Sequence, residues 1–242
     1  MPLSTPGNRT PLPAFASADE FVASVLALRP ALAVFDCDGT LWSQDSGEAF
    51  MRWTIDKGIL SQERTAWILN RYQQYRNREV GEEQMCGEMV TIYHQTPLVE
   101  LESAARDFFD ERIAPGIFPE MLALVQKLIA AGCEIWAVSS TNDWVVRAGT
   151  ARFGIAPERV LAACIHIEDG LATDRLIQVP SGPNKAVAVR KYIQRTPDVA
   201  FGNSIHDLQL LECAKKQFAI NPNPDLEATA RERGWSVYLP LK

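Results

Sequence analysis

The stretch FDCDGT, residues 35–40, sets two aspartates, Asp36 and Asp38, directly after an apolar run and directly before Gly39 and Thr40. Side chains alternate along an extended chain, so both carboxylates can face the same way. Like charges held that close need a cation to neutralise one or a proton to neutralise the other. Both remedies serve phosphoryl transfer. A hard Mg²⁺ accepts oxygen from Asp36 and from a nearby backbone carbonyl, while Asp36 attacks phosphorus to form an aspartyl phosphate. Asp38, its pKa raised, protonates the leaving alcohol and later deprotonates water. A calcium loop can also begin D-x-D-G, but its template asks for another acidic or Asn ligand and a Glu at its twelfth position. Counting from Asp36, Thr40 and Gly47 fall at positions five and twelve, which disfavours that reading.

Three later segments could complete such a site. CEIWAV, residues 133–138, ends in Ser139, Ser140 and Thr141, whose hydroxyls and amides suit phosphate oxygens ahead of a helix. Taken alone, the same residues are more often a plain helix cap. Lys185, in SGPNKAVAVRKY, opens a helix and can balance phosphate and carboxylate charge, although a lone helix lysine is more often solvated surface. VAFGNSIHDLQLL reads as strand, Gly202, a polar stretch and helix, with Asn203 and Asp207 as oxygen donors four residues apart.

Positioning these groups requires strand ends gathered at one edge. The runs at 31–35, 133–138, 159–167, 198–202 and 217–221 alternate with helical stretches around 143–153, 183–195, 205–215 and 224–233. That alternation predicts an α/β fold, a doubly wound parallel sheet, whose ligands bind outside the carboxyl ends of the strands. The amphipathic helix FPEMLALVQKLIAAG, ending at Gly132, precedes the second strand. Between the first strand and that helix lie about seventy residues with helix pattern and little strand pattern, far more than a crossover needs. We therefore expect a catalytic core of residues 1–40 and 113–242 and an inserted helical cap domain of about four helices at 41–112. TPGNRTPLP reads as a loose N-terminal arm, followed by a packing helix with Ser17 and Glu20 at capping-box spacing.

The chain has 242 residues, 47% of them hydrophobic, with a formal charge of −6, so it can bury a large core and carries no general basic signature for nucleic acid or anionic membrane. Its five cysteines are scattered with no CxxC pair, which argues against a zinc cluster or a disulfide framework and for a reduced, cytoplasmic protein. No secretion signal or apolar run of membrane-spanning length is evident.

In the order of its motifs the chain resembles the haloacid dehalogenase-like (HAD) phosphatases, in particular the phosphoserine phosphatase-like branch with a helical cap after the first motif. FDCDGT matches the first motif, IWAVSS the second, the lysine of GPNKAVAV the third and FGNSIHD the fourth, while IEDGLATDRL resembles the small hairpin between the second and third. The resemblance implies a HAD-like Rossmannoid core, with Asp36 as nucleophile and metal ligand and Asp38 as acid/base whose backbone oxygen also binds Mg²⁺. It implies Ser139 as phosphate binder, with Ser140 beside it, and Lys185 as charge clamp. Asp38 disfavours the halide-removing members, which do not need a general acid at that position. One departure stands out: Asn203 occupies the place where the fourth motif usually carries Asp. An amide oxygen ligates Mg²⁺ without charge, so metal affinity should drop unless Asp207 compensates. The rival expectation is a catalytically weakened phosphate-binding or regulatory protein on the same fold.

By the same resemblance an acidic residue after the first motif holds a substrate amine, a position met by Asp45, with Glu48 one turn along. The arginine that holds the carboxylate of phosphoserine is missing; Gly87 or Met85 stands there. Trp42, Trp53, Trp67, Tyr72, Tyr75 and Tyr93 crowd the expected cap. Their faces beside carboxylates suit an ammonium group, as in phosphocholine or phosphoethanolamine, and Trp42 joins Asp45 and Glu48 as a specificity candidate; the competing reading makes these aromatics the cap's own core. His94, His166 and His206 are too dispersed for a metal triad. The expected partner is a small-molecule phosphomonoester, with neither nucleic acid nor membrane, and homodimerisation stays open.

Overall fold

The computed structural model describes Phe15 and residues 17–240, so the TPGNRTPLP arm lies outside the described residues. After helix α1 (Ala18–Ala27), which Ser17 caps by accepting the Glu20 N–H, strand β1 (Leu32–Phe35) enters the molecule with every residue buried. Four helices follow, α2 (Ser46–Asp56), α3 (Gln62–Arg76), α4 (Glu82–Thr91) and α5 (Leu98–Phe108), the last continued by a wider turn over Phe109–Ile113. The chain then returns through α6 (Pro119–Ala130), β2 (Glu134–Asn142), α7 (Asp143–Thr150), β3 (Val160–Glu168), β4 (Leu171–Gln178), α8 (Pro183–Ala188) and β5 (Val199–Gly202). It ends with α9 (Leu208–Glu212), β6 (Lys216–Ile220), α10 (Pro224–Arg233) and β7 (Ser236–Tyr238), a short strand that the sequence pattern does not announce.

The strands form one seven-stranded sheet in the order β4-β3-β2-β1-β5-β6-β7. All neighbours are parallel except β4, which folds back on β3 through a tight turn at Asp169 and Gly170, both at positive φ. The doubly wound parallel architecture is therefore as expected, with the small hairpin as its antiparallel edge. Strands buried on both faces read as continuous apolar runs, and the period of two sorts them. Ala33, Phe35, Ile135, Phe201 and Phe218 join the core on the side of α1 and α6, whereas Leu32, Val34, Val138, Ala200 and Ala219 join Val189, Leu210 and Leu226 on the other.

The helical segment has its own aromatic packing: Phe50 stacks near Trp53, meets Phe108 edge to face and lies tilted against Tyr93, and the Tyr93 hydroxyl lies 2.8 Å from that of Thr54. Among the described residues, no helix is long and apolar enough to cross a membrane.

Candidate active site

Strand β1 lies between β2 and β5, and the chain leaves it toward β2 before later returning to its other side at β5. This is the switch point at which open α/β sheets bind ligands. Asp36 follows β1 directly, its N–H donating to the Phe201 carbonyl at 2.9 Å, so it continues the strand past the sheet's end. Cys37 turns the other way into the core, and Asp38 returns to the Asp36 side. Gly39, at φ +74°, then bends the chain, and a Cβ there would lie 1.9 Å from Asn203 Nδ2. The positive φ and the close approach both require glycine.

Each Asp36 oxygen has a donor. Lys185 Nζ gives a hydrogen bond to Oδ1 at 2.6 Å and Thr40 Oγ1 gives one to Oδ2 at 2.8 Å. The Lys185 ammonium also reaches Asp207 Oδ1 at 2.5 Å, and the three charges are almost wholly buried. Burial, then the Asp207 charge, pushes the Asp36 carboxyl up to about 7 against the pull of Lys185. Burial works against the lysine's charge too, but Asp207 and Asp36 overcome it and hold its proton on.

Asp38 is separately anchored. Its Oδ1 accepts from Trp42 Nε1 at 2.6 Å and Ser46 Oγ at 2.5 Å, and its Oδ2 from Thr141 Oγ1 at 2.9 Å. Burial raises its pKa, and these donors oppose the rise. Trp42 is thus not the substrate contact its position suggests: it is fully buried, wedged against Phe109, and absent from the cavity wall. An indole N–H beside a carboxylate is satisfied from below, which turns the ring into the core.

Asp207, expected among the metal ligands, lies behind Lys185. It caps its own turn, with Oδ2 accepting the Asn203 and Ser204 N–H groups, both at 3.0 Å, while Oδ1 holds Lys185. Both oxygens are committed, the side chain is 1% exposed and, unlike Asp36, it is absent from the cavity wall, so it buttresses the lysine from behind. Asn203 itself lines the cavity. Ser139 sits beneath the surface, its Oγ accepting the Thr141 N–H at 3.1 Å, and Ser140, Thr141 and Asn142 form the wall there.

These groups open into a cavity of about 380 Å³ between the strand ends and the helical segment. Its far wall carries Asp45, Glu48, Tyr72, Tyr75, Glu82, Met85, Cys86 and Met89. Asp45 caps α2 by accepting the Glu48 N–H at 2.9 Å. Desolvation between the cavity walls, then the Asp38 charge, pushes its carboxyl up to about 6. Partial burial works against the charge of Glu48, but the Tyr72 hydroxyl and Arg52 outweigh it and hold that carboxyl low. Of the six aromatics, Tyr72 and Tyr75 line the cavity, Trp42, Trp53 and Tyr93 are core, and Trp67 lies on another surface depression. Gly87 faces Leu176 of β4, so Met85 stands on the cavity side of α4.

Composition and spacing do not reveal Ser46, Glu82 or Ser181. Glu82 Oε1 accepts from Ser181 Oγ at 2.7 Å, and Oε2 pairs with His206, which the sequence sets too far from His94 and His166 for a metal triad. Among the described residues no three His, Cys, Asp or Glu side chains form a metal cage, so a cation here would depend on main-chain, amide and water oxygens besides Asp36.

A family model of the haloacid dehalogenase-like hydrolases matches residues 33–212. A histidinol-phosphatase of Neisseria meningitidis serogroup C is 29% identical over 85% of this chain and 97% of its own length. The phosphoserine phosphatase SerB1 of Mycobacterium tuberculosis is 26% identical over 86% of this chain and 70% of its own length. Among solved structures, a Bordetella pertussis Tohama I protein of unknown function superposes with a TM-score of 0.76 at 25% identity, covering 86% of this chain and 97% of that one. A substrate-bound phosphoserine phosphatase shares the fold, with a TM-score of 0.59 at 16% identity over 86% of this chain and 92% of that one.

Proposed function

The chain belongs to the haloacid dehalogenase-like hydrolases, and from that premise we propose that it is a Mg²⁺-dependent phosphatase of small, amine-bearing phosphate monoesters that works through an aspartyl phosphate on Asp36. The observation that carries this reading is the buried Asp36–Lys185–Asp207 triad beside a second carboxylate, Asp38, with its own separate set of donors. Two neighbouring carboxylates in unlike environments are what a nucleophile and a general acid require.

The donor set suits a hard cation. Asp36, Asp38 and Asp207 put three carboxylates beside the single Lys185 ammonium, and the Asp36 carboxylate, the Asp38 carbonyl and the Asn203 amide are oxygen donors of the type Mg²⁺ takes. When bound, the ion would draw charge from the phosphoryl oxygens. Lys185 and Thr40 fix the Asp36 carboxylate, and Ser140 with the chain ahead of α7 would receive the phosphate, with Ser139 supporting that turn.

Asp36 attacks phosphorus as the bond to the alcohol oxygen breaks, and Asp38 gives that oxygen its proton. An indole N–H can only donate, so Trp42 keeps Asp38 Oδ1 an acceptor and leaves Oδ2 as the atom that carries the proton. The Thr141 hydroxyl can reverse to suit either state. In the second half Asp38 takes a proton from water, the water oxygen bonds to phosphorus and the Asp36–phosphorus bond breaks. The balance is ester plus water giving alcohol plus phosphate. Residues 41–112 would act as the cap that excludes bulk water during transfer.

The relatives' names favour an amine-bearing ester, since histidinol phosphate and phosphoserine share an amine near the phosphate. Asp45 on the far wall supports the same view. Phosphate release from a panel holding both esters, measured with Mg²⁺ and with EDTA, tests the reading. Turnover should vanish with EDTA and in Asp36→Asn; near-normal turnover in that variant would overturn the mechanism.

A further inference from the structure

Building on the phosphatase reading, we propose that the cavity selects phosphate esters of amino alcohols that carry no carboxylate, and that an unbalanced charge at Asp45 sets this preference. The argument is a count of charges around the wall. The side chains on it that can carry positive charge are Lys185 and His206. Lys185 is spent on Asp36 and Asp207, and His206 on Glu82. Arg52, just outside, is tied to Glu48 at 2.8 Å. Arg76, on the exposed end of α3, acts on Glu48 and Tyr72 from beyond the wall.

The acidic groups balance differently. Asp36 has Lys185, and Asp38, held by the Trp42, Ser46 and Thr141 donors, carries the proton that the proposed mechanism gives to the leaving group. Glu82 has His206 and Ser181, and Glu48 has Arg52 and the Tyr72 hydroxyl. Asp45 is held by main-chain donors, the Glu48 and Gly47 N–H groups, and no cationic side chain among the described residues pairs with it. The cavity therefore offers a negative charge without a partner and has no spare positive one.

An entering ammonium would meet the Asp45 carboxylate with the rings of Tyr72 and Tyr75 on the same wall. An entering carboxylate would lose water, face Asp45, and find Met85 and Met89 where a base could have compensated it. Selectivity of this kind comes as much from repelling the wrong ligand as from holding the right one. Of the two esters named for the relatives, histidinol phosphate meets the rule and phosphoserine breaks it.

Three esters isolate the two charges. Ethyl phosphate has neither group, phosphoethanolamine adds the amine, and phosphoserine adds the carboxylate to that. In the wild-type protein kcat/KM for phosphoethanolamine should exceed that for each of the other two by about tenfold or more. Asp45→Asn should narrow both gaps. Met89→Lys, which sets an ammonium near Gly47 and Asp45, should raise phosphoserine relative to phosphoethanolamine. If p-nitrophenyl phosphate is hydrolysed but phosphoserine equals or exceeds phosphoethanolamine, the proposal is overturned while the phosphatase reading stands. If no ester is hydrolysed, p-nitrophenyl phosphate included, both fall. The three-ester comparison uses the unaltered protein, so a variant that failed to fold would not weaken it.

Discussion

At the scale of single residues, Asp36 and Asp38 differ in what surrounds them and not in type. Asp36 shares a buried ammonium with Asp207, whereas Asp38 is gripped by an indole and two hydroxyls. The spacing of the pair, the lysine and the Asn203 substitution were all legible in the chain. The indole was not, because a tryptophan four residues after an aspartate gives no hint whether its N–H turns inward or its ring faces a ligand. Trp42→Phe tests the assignment of the Asp38 proton. It keeps an aromatic ring in the core but removes the indole donor to Oδ1 and leaves there only the Ser46 hydroxyl, which can reverse, so both oxygens can then hold the proton. We expect kcat to fall about tenfold with KM nearly constant, the pattern of a contact that matters in the transition state. An unchanged kcat would remove Trp42 from the argument.

At the scale of elements, the helices and strands follow from periodicity, but their close approaches do not. Helix α7 contains Gly149, where a Cβ would lie 2.4 Å from Phe109 Cε2 and 2.8 Å from Trp42 Cη2. Alanine is the better helix former by about 1 kcal/mol, so propensity alone predicts that Gly149→Ala stabilises. Overpacking against two buried rings should win, with a net loss of about 1–3 kcal/mol in denaturant unfolding. A stabilised variant would mean that Phe109 moves aside freely. A displaced Trp42 would also slacken its bond to Asp38, which links packing in α7 to the proposed acid. The same blindness hid β7, since three residues carry no measurable period.

At the scale of the whole molecule, Glu82 joins three parts of the chain. It begins α4 in the helical segment, takes the Ser181 hydroxyl from the loop leading to Lys185, and pairs with His206 in the turn that holds Asp207. One side chain thus ties the proposed cap to both loops that position the lysine. Glu82→Ala should raise KM several-fold for ethyl phosphate and phosphoethanolamine alike, because the loss is felt at the phosphate end that both share. A defect confined to phosphoethanolamine would instead make Glu82 an amine contact. Comparing the two esters separates these roles without any assumption about the natural substrate.

By itself the sequence determined the sheet architecture, the helical stretch between the first two strands, and the residues gathered at the strand ends. Those features are local: a period of two or 3.6, a turn residue, or short spacings such as Asp36 to Asp38 and Asn203 to Asp207 can be read along the chain. Tertiary structure decided the partners. Whether Asp207 faces a metal or Lys185, whether Trp42 meets substrate or Asp38, and whether any cation is left for Asp45 depend on contacts between segments far apart in sequence. Lys185 lies 149 residues from Asp36, and Thr141 lies 103 from Asp38. Charge balance in a buried site is a sum over such long-range neighbours, and no window along the chain contains it.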